Sequence, residues 1–293
     1  MQSDALPARA AGSPIYNSIP AVYPPSFSSL GYQAQQTREF GDHVVFAGTN
    51  RFVDSITVGL NDWACESDFT LSGNVWVPAA DPLPCVTTAG STFEHPITLT
   101  IYAVDNSGPD PAAGAVLASV VQAVDVPFRP SADVPNCGDR RWFNPGTGTC
   151  HNGFAFNVDF DLSSLALELP DEVIVGVGYN TQSYGTAPIG AAGPYNSLNV
   201  SLATAAATVG AEAEPDVMFR DFGGSGFLRE TGWAPFVGFV MNIAANATAP
   251  EVVPAPGDGA VLAATGGDQS STLLVGAFLL LSGCLVLVAS RRK

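Results

Sequence analysis

The chain reads as an all-β protein: an antiparallel β-sandwich, jelly-roll-like, followed by a C-terminal hydrophobic sorting helix. Three observations lead there. Short runs of β-branched and aromatic residues recur, bounded by Gly, Pro, Asn and Asp, as strands require. Two runs alternate cleanly, with Phe154, Phe156, Val158 and Phe160 facing one way and Ile97, Leu99 and Ile101 doing the same. Outside the C-terminal tail, no stretch sustains a 3.6-residue apolar period.

Strands are expected at residues 42–47, 52–60, 97–104, 116–126, 154–160, 173–179, 197–202, 217–219 and 236–243. Short strands at this density suit a sandwich. Residues 1–14 read as a signal-peptide remnant or disordered lead, because Ala8-Arg9-Ala10 matches the small-x-small pattern of a cleavage site. Residues 11–38 hold Pro24-Pro25 and no periodicity, so they read as an extended lead-in. Residues 203–213 are Ala-rich but interrupted by Gly210, and read as a loop or one helical turn. No repeat or internal linker divides residues 15–245, which therefore form one domain. Residues 246–261 are a Pro/Ala-rich stalk, reaching roughly 50 Å if fully extended as polyproline.

Composition excludes some functions. A formal net charge of −16 argues against nucleic acid as a partner, because phosphate binding needs a basic face. Lys293 is the sole lysine, so crosslinking or polymerisation through a lysine amine is closed to residues 1–292. Of five cysteines, Cys284 sits in the apolar tail. The others, Cys65, Cys85, Cys137 and Cys150, are an even set suited to disulfides in an exported domain. Four cysteines allow three pairings. Cys65–Cys85 and Cys137–Cys150 are favoured, because each pair brackets one turn-rich stretch. A zinc site is disfavoured: there is no CxxC, and His43, His95 and His151 are scattered.

The C-terminal end carries an address. Leu262-Ala263-Ala264-Thr265-Gly266 precedes a polar spacer, an uncharged apolar run at 273–289, and Ser290-Arg291-Arg292-Lys293. That run would rise roughly 25 Å as a helix, a short transmembrane stop, with the basic tail on the cytoplasmic side. This order resembles the LAxTG form of the cell-wall sorting signal of actinobacterial surface proteins, in residues 262–293. The resemblance implies that a sortase cysteine attacks the Thr265 carbonyl, breaks the Thr265–Gly266 bond and passes the acyl group to a peptidoglycan amine. The expected partners are thus sortase, peptidoglycan and, before processing, the membrane. The expected place is the cell wall, outside the cell. Four stretches within about residues 15–245 resemble an extracellular module of secreted actinobacterial proteins. They are Glu39-Phe-Gly-Asp-His-Val-Val-Phe-Ala-Gly-Thr-Asn-Arg51, Ile56-Thr-Val-Gly-Leu-Asn-Asp-Trp-Ala-Cys65, Pro127-Phe-Arg-Pro-Ser-Ala-Asp133 and Pro194-Tyr-Asn-Ser-Leu-Asn-Val200. This likeness implies an exported β domain and supplies no catalytic residues.

Little in the chain points to catalysis or cofactors. No G-x-S-x-G elbow occurs for a serine hydrolase. A glycosidase needs only two carboxylates. Asp159 and Asp161, alternating with the Phe face, read as a solvated sheet face instead. The oxygen-rich turn Asp105-Asn-Ser-Gly-Pro-Asp110 has the ligand types for calcium, but Asn-Ser-Gly-Pro favours a plain polar hairpin turn. The expectation is a non-enzyme without cofactor that binds a glycan or a protein at the cell surface. Trp76, Trp142, Tyr184 and Tyr195 lie in loop-like contexts and are the candidate ligand platforms, while Trp63 and Trp233 adjoin strands and read as core. Arg51 and Arg129 are expected to pair with carboxylates. A structural wall component and a wall-bound hydrolase are the alternatives.

Overall fold

A computed structural model describes residues 11–72, 75–78, 85–180, 197–223 and 226–249; side chains at 69–72 and 75–78 are outside it. The chain divides into two units, Met1–Glu251 and Val252–Lys293, and the second lies outside the described residues. The stalk beyond residue 249, the pentapeptide Leu262–Gly266 and the run at 273–289 are therefore not described. Among the described residues no helix is long and apolar enough to cross a membrane.

The described fold is all-β, with antiparallel sheets consistent with a β-sandwich. The first sheet centres on β4 (Phe52–Asp62). Along one side β4 pairs with β11 (Phe154–Asp161); along the other it pairs with β18 (Met241–Asn246) and then β13 (Leu198–Ala203). β1 (Ser13–Asn17) adds to β18, while β2 (Ser29–Gly31) and β17 (Gly238–Phe239) add to β13. The second sheet runs β16 (Leu228–Thr231), β15 (Val217–Asp221), β3 (Glu39–Val45), β12 (Glu172–Tyr179), β7 (Thr92–Asp105) and β8 (Ala112–Pro127). β14 (Ala211–Glu212) pairs with β3. Two small hairpins complete the set: β5 (Phe69–Ser72) with β6 (Val75–Pro78), and β9 (Trp142–Asn144) with β10 (Thr149–His151).

One core joins the two large sheets. Ile56, Val58, Leu60, Val158, Phe160 and Ile243 come from the first; Phe40, Leu99, Ile101, Val173, Val175 and Val177 come from the second. The period-2 pattern drives this, because every second side chain must leave water. Ile97, Leu99 and Ile101 are all buried, whereas Asp159 and Asp161, between the apolar residues of β11, face solvent. Each such large side chain contributes about 1.5–3 kcal/mol by burial.

Three expectations need correction. Residues 11–38 are not a mere lead-in. Tyr16 and Tyr32 are fully buried, and the Tyr32 hydroxyl donates to the Val177 carbonyl at 3.0 Å. β1 and β2 are too short to show a period, so pairing with β18 and β13 orders them, not local propensity. Residues 203–213 form no helical turn; they contain β14, which delivers Glu212 to the interior. The expected strand at 236–243 is broken into β17 and β18 at Val240.

Candidate functional site

Two disulfide-stapled loops and the start of β11 build a pair of clefts. Cys65–Cys85 joins the segment that follows β4 to the loop at 85–91, and Cys137–Cys150 joins a short helix to β10. Both pairings are those expected from loop bracketing. The helix, α1 (Val134–Cys137), starts on Asp133, whose carboxylate accepts from the Asn136 amide at 3.1 Å, and ends on Gly138 at φ 72°. Because β9 and β10 pair His151 opposite Trp142, the two rings stack at 4.6 Å and 22°. The Trp142 indole N–H donates to the Gly153 carbonyl at 2.9 Å, which fixes the ring.

Arg129 braces both loops. Its Nε lies 3.3 Å from Cys85 Sγ in the first, and its guanidinium donates to the carbonyls of Arg140 and Asn152 (2.7 Å) in the second. Main-chain carbonyls thus take its hydrogen bonds, while the nearby carboxylates of Asp68 and Asp62 act on it through space. The loops leave those carbonyls without strand partners, and a buried planar fork can satisfy several at once. The buried Asp62 carboxyl adds a through-space attraction, while burial itself pushes that carboxyl well up. Arg51 follows expectation, meeting the Asp171 carboxylate at 2.7 Å.

The first cleft, about 210 Å³, is walled by Tyr23, Phe27, Trp142 and Phe154, with Asn61 at its floor. Tyr23 and Phe27 meet edge to face at 5.0 Å. The Tyr23 hydroxyl donates to the Asn157 side chain, and burial pushes its pKa up to about 12. Asn61 is 1% exposed; its amide nitrogen donates to the Phe27 carbonyl at 3.4 Å, but its Oδ1 has no hydrogen-bond partner among the described residues. An orphaned buried acceptor is costly, and a hydroxyl or water donor entering the cleft would satisfy it. Gly153 must be glycine, since a side chain there would run into the Asn61 amide and the Trp63 indole. The second cleft, about 440 Å³, lies between the 87–91 turn and Pro127, Phe128, Pro130 and Ser131. Phe154 lines both clefts.

The candidate platforms fare unequally. Trp142 is 8% exposed, so it is a cleft wall and not a projecting platform. Its hairpin folds back under Arg129 and the disulfide, which the loop-like composition could not reveal. Trp63, expected in the core, is 40% exposed, because β4 ends at Asp62 and releases the next side chain. Trp233 packs against the core as expected. Trp76 lies on β6 with its side chain outside the described residues, and Tyr184 and Tyr195 lie outside them altogether. Sequence reasoning missed Tyr23, Phe27, Asn61 and Phe154. The first two sit in the segment read as lead-in, and Phe154 was read only as part of an apolar sheet face.

Other candidates offer less chemistry. A hollow of about 260 Å³ on the outer face of the second sheet holds Glu39, whose carboxyl burial pushes up. Both its oxygens lie within 3.2 Å of the Tyr102 hydroxyl, and neighbouring Arg38 meets Asp221 at 3.2 Å. Its charged groups are thus already engaged. Asp159 accepts from the Thr57 hydroxyl at 2.6 Å on a solvated sheet face. In the 105–110 turn, Asp105 accepts from the Ser107 amide at 2.9 Å. Among the described residues, no three His, Cys, Asp or Glu side chains gather as metal ligands.

Comparison of the chain with family models, curated proteins and solved structures finds no match. The two disulfides fit an oxidising, extracellular location.

Proposed function

We propose that this chain is a sortase-anchored surface protein of the actinobacterial wall, with a jelly-roll ectodomain that binds a glycan. One observation carries the binding reading: the aromatic cleft of Tyr23, Phe27, Trp142 and Phe154 with Asn61 at its floor, whose Oδ1 has no hydrogen-bond partner among the described residues. Aromatic faces and edges pack against the C–H faces of sugar rings, and a fixed acceptor receives a sugar hydroxyl. His151, whose pKa burial pulls down, stacks on Trp142 at 4.6 Å and backs that wall of the cleft. The ectodomain is read as a binder rather than an enzyme, and the reading rests on the aromatic lining of the cleft. Anchoring rests on Leu262–Gly266, the apolar run at 273–289 and the basic tail, in that order.

A binding and turnover screen against polysaccharides and cell-wall glycans tests the ectodomain. Binding without product, lost in Trp142→Ala, is the expected result. Released product makes it a hydrolase, and silence across the panel moves the role to protein adhesion or wall structure. For the anchor, Thr265→Ala should leave the protein in the membrane fraction of cells that otherwise fix it to the wall. Unchanged wall attachment would remove the sortase assignment.

A further inference from the structure

The two clefts adjoin across a single side chain. Phe154 lines the Tyr23–Trp142 cleft and equally the cleft of Pro127, Phe128 and Pro130. The second cleft has about twice the volume of the first. Among the described residues no Asp, Glu, Lys or Arg lines either cleft, although the chain has 27 acidic and 11 basic residues. The hydroxyls around the second cleft are already used: Ser131 bonds both the amide and the carbonyl of Thr87, Ser91 donates to Glu66, and Thr87 accepts from the Glu66 amide. What remains there is an apolar trough beneath the Gly90 turn, where φ is 80° and nothing lies within contact of a built side chain. Both walls are pre-organised, one by each disulfide, and Arg129 fixes them to one another.

Resting on the glycan reading above, we infer that the ligand is an uncharged glycan chain of at least two units that crosses Phe154. The first unit meets Trp142 and gives a hydroxyl hydrogen bond to Asn61 Oδ1; later units lie on the apolar trough. An anionic chain is disfavoured, because burying its charge without a cationic partner is costly and the clefts offer none. A rigid, pre-formed trough adds affinity without new ordering cost.

The test is calorimetric titration of the full chain, in mild detergent, with length ladders of β-1,4-linked glucose and N-acetylglucosamine oligomers, and with a matched uronic-acid ladder. Affinity should rise at least about tenfold from the single sugar to the longer oligomers and then level off. Ala89→Trp, an exposed change in the 87–91 turn, should reduce long-chain affinity to that of the short sugars and leave the latter unchanged. Trp142→Ala should abolish binding at every length. Length-independent affinity, or indifference of long chains to Ala89→Trp, overturns the two-cleft inference and leaves the glycan reading standing. Tighter binding of the uronic-acid ladder overturns the neutrality. No binding at any length by the folded protein overturns both readings.

Discussion

The stapled loop end and the space between the sheets hold the fold in opposite ways. At the loop end, irregular backbone is fixed covalently by two disulfides, and Arg129 collects the stray carbonyls. Between the sheets, a polar strut does the work. Asp42 on β3 accepts from the Phe239 amide of β17 at 2.6 Å, reaching across from one sheet to the other. Glu212 on β14 hydrogen-bonds Asp42, and the fully buried Tyr16 on β1 donates to Glu212. Burial first, and then mutual repulsion, raises the Glu212 carboxyl, so it keeps its proton and donates it to Asp42. A side chain on Gly238 would collide with that carboxyl, which explains a glycine there. The comparison teaches that the loop end depends on redox state, whereas the interior depends on one shared proton.

The largest break in this comparison comes from the interior. Glu212→Ala strips Tyr16 and Asp42 of their partner and should cost about 3 kcal/mol in urea denaturation. A loss under about 1 kcal/mol would show that the strut carries little. Replacing Cys65 and Cys85 together by Ser opens a 20-residue separation and should cost a similar amount, about 3 kcal/mol by chain entropy. It should also weaken ligand binding, since the 87–91 turn loses its tether; unchanged affinity would detach the staple from the site.

Proton linkage separates the regions further. Glu212 has a folded pKa raised to about 10, above its unfolded value, so its stabilisation is complete below the ordinary carboxylate range. It is lost as pH rises toward that raised value. Stability should therefore fall by at least about 1.4 kcal/mol between mildly acid and alkaline pH, the worth of one pKa unit. Glu212→Gln should flatten that slope, while the double Cys→Ser variant should keep it. An unaltered slope in Glu212→Gln would place the titrating group elsewhere. The smallest effect is expected outside both regions: Val121→Lys, at a side chain 65% exposed on β8, should change stability by about 0.5 kcal/mol or less in the same denaturation.

Much of the frame was legible from residues alone. Each of the nine expected strands has a counterpart, since in β7 and β11 the period of two decides which side chains can leave water. Disulfide partners followed from which cysteines bracket an irregular stretch. The short strands β1, β2 and β14 were not legible, because two to five residues hold no period and gain order only from a distant partner. The site was legible only in Trp142. Tyr23 and Phe27 converge on it from a segment more than a hundred residues away, and Asn61 gains meaning only when its acceptor is seen buried with no donor among the described residues. Periodicity and cysteine spacing are local properties, and they determined the all-β class and the staples. The cleft, the Arg129 brace and the Asp42–Glu212 strut depend on which strands become neighbours, and the burial that shifts a pKa or orphans an amide exists only once the sheets have packed.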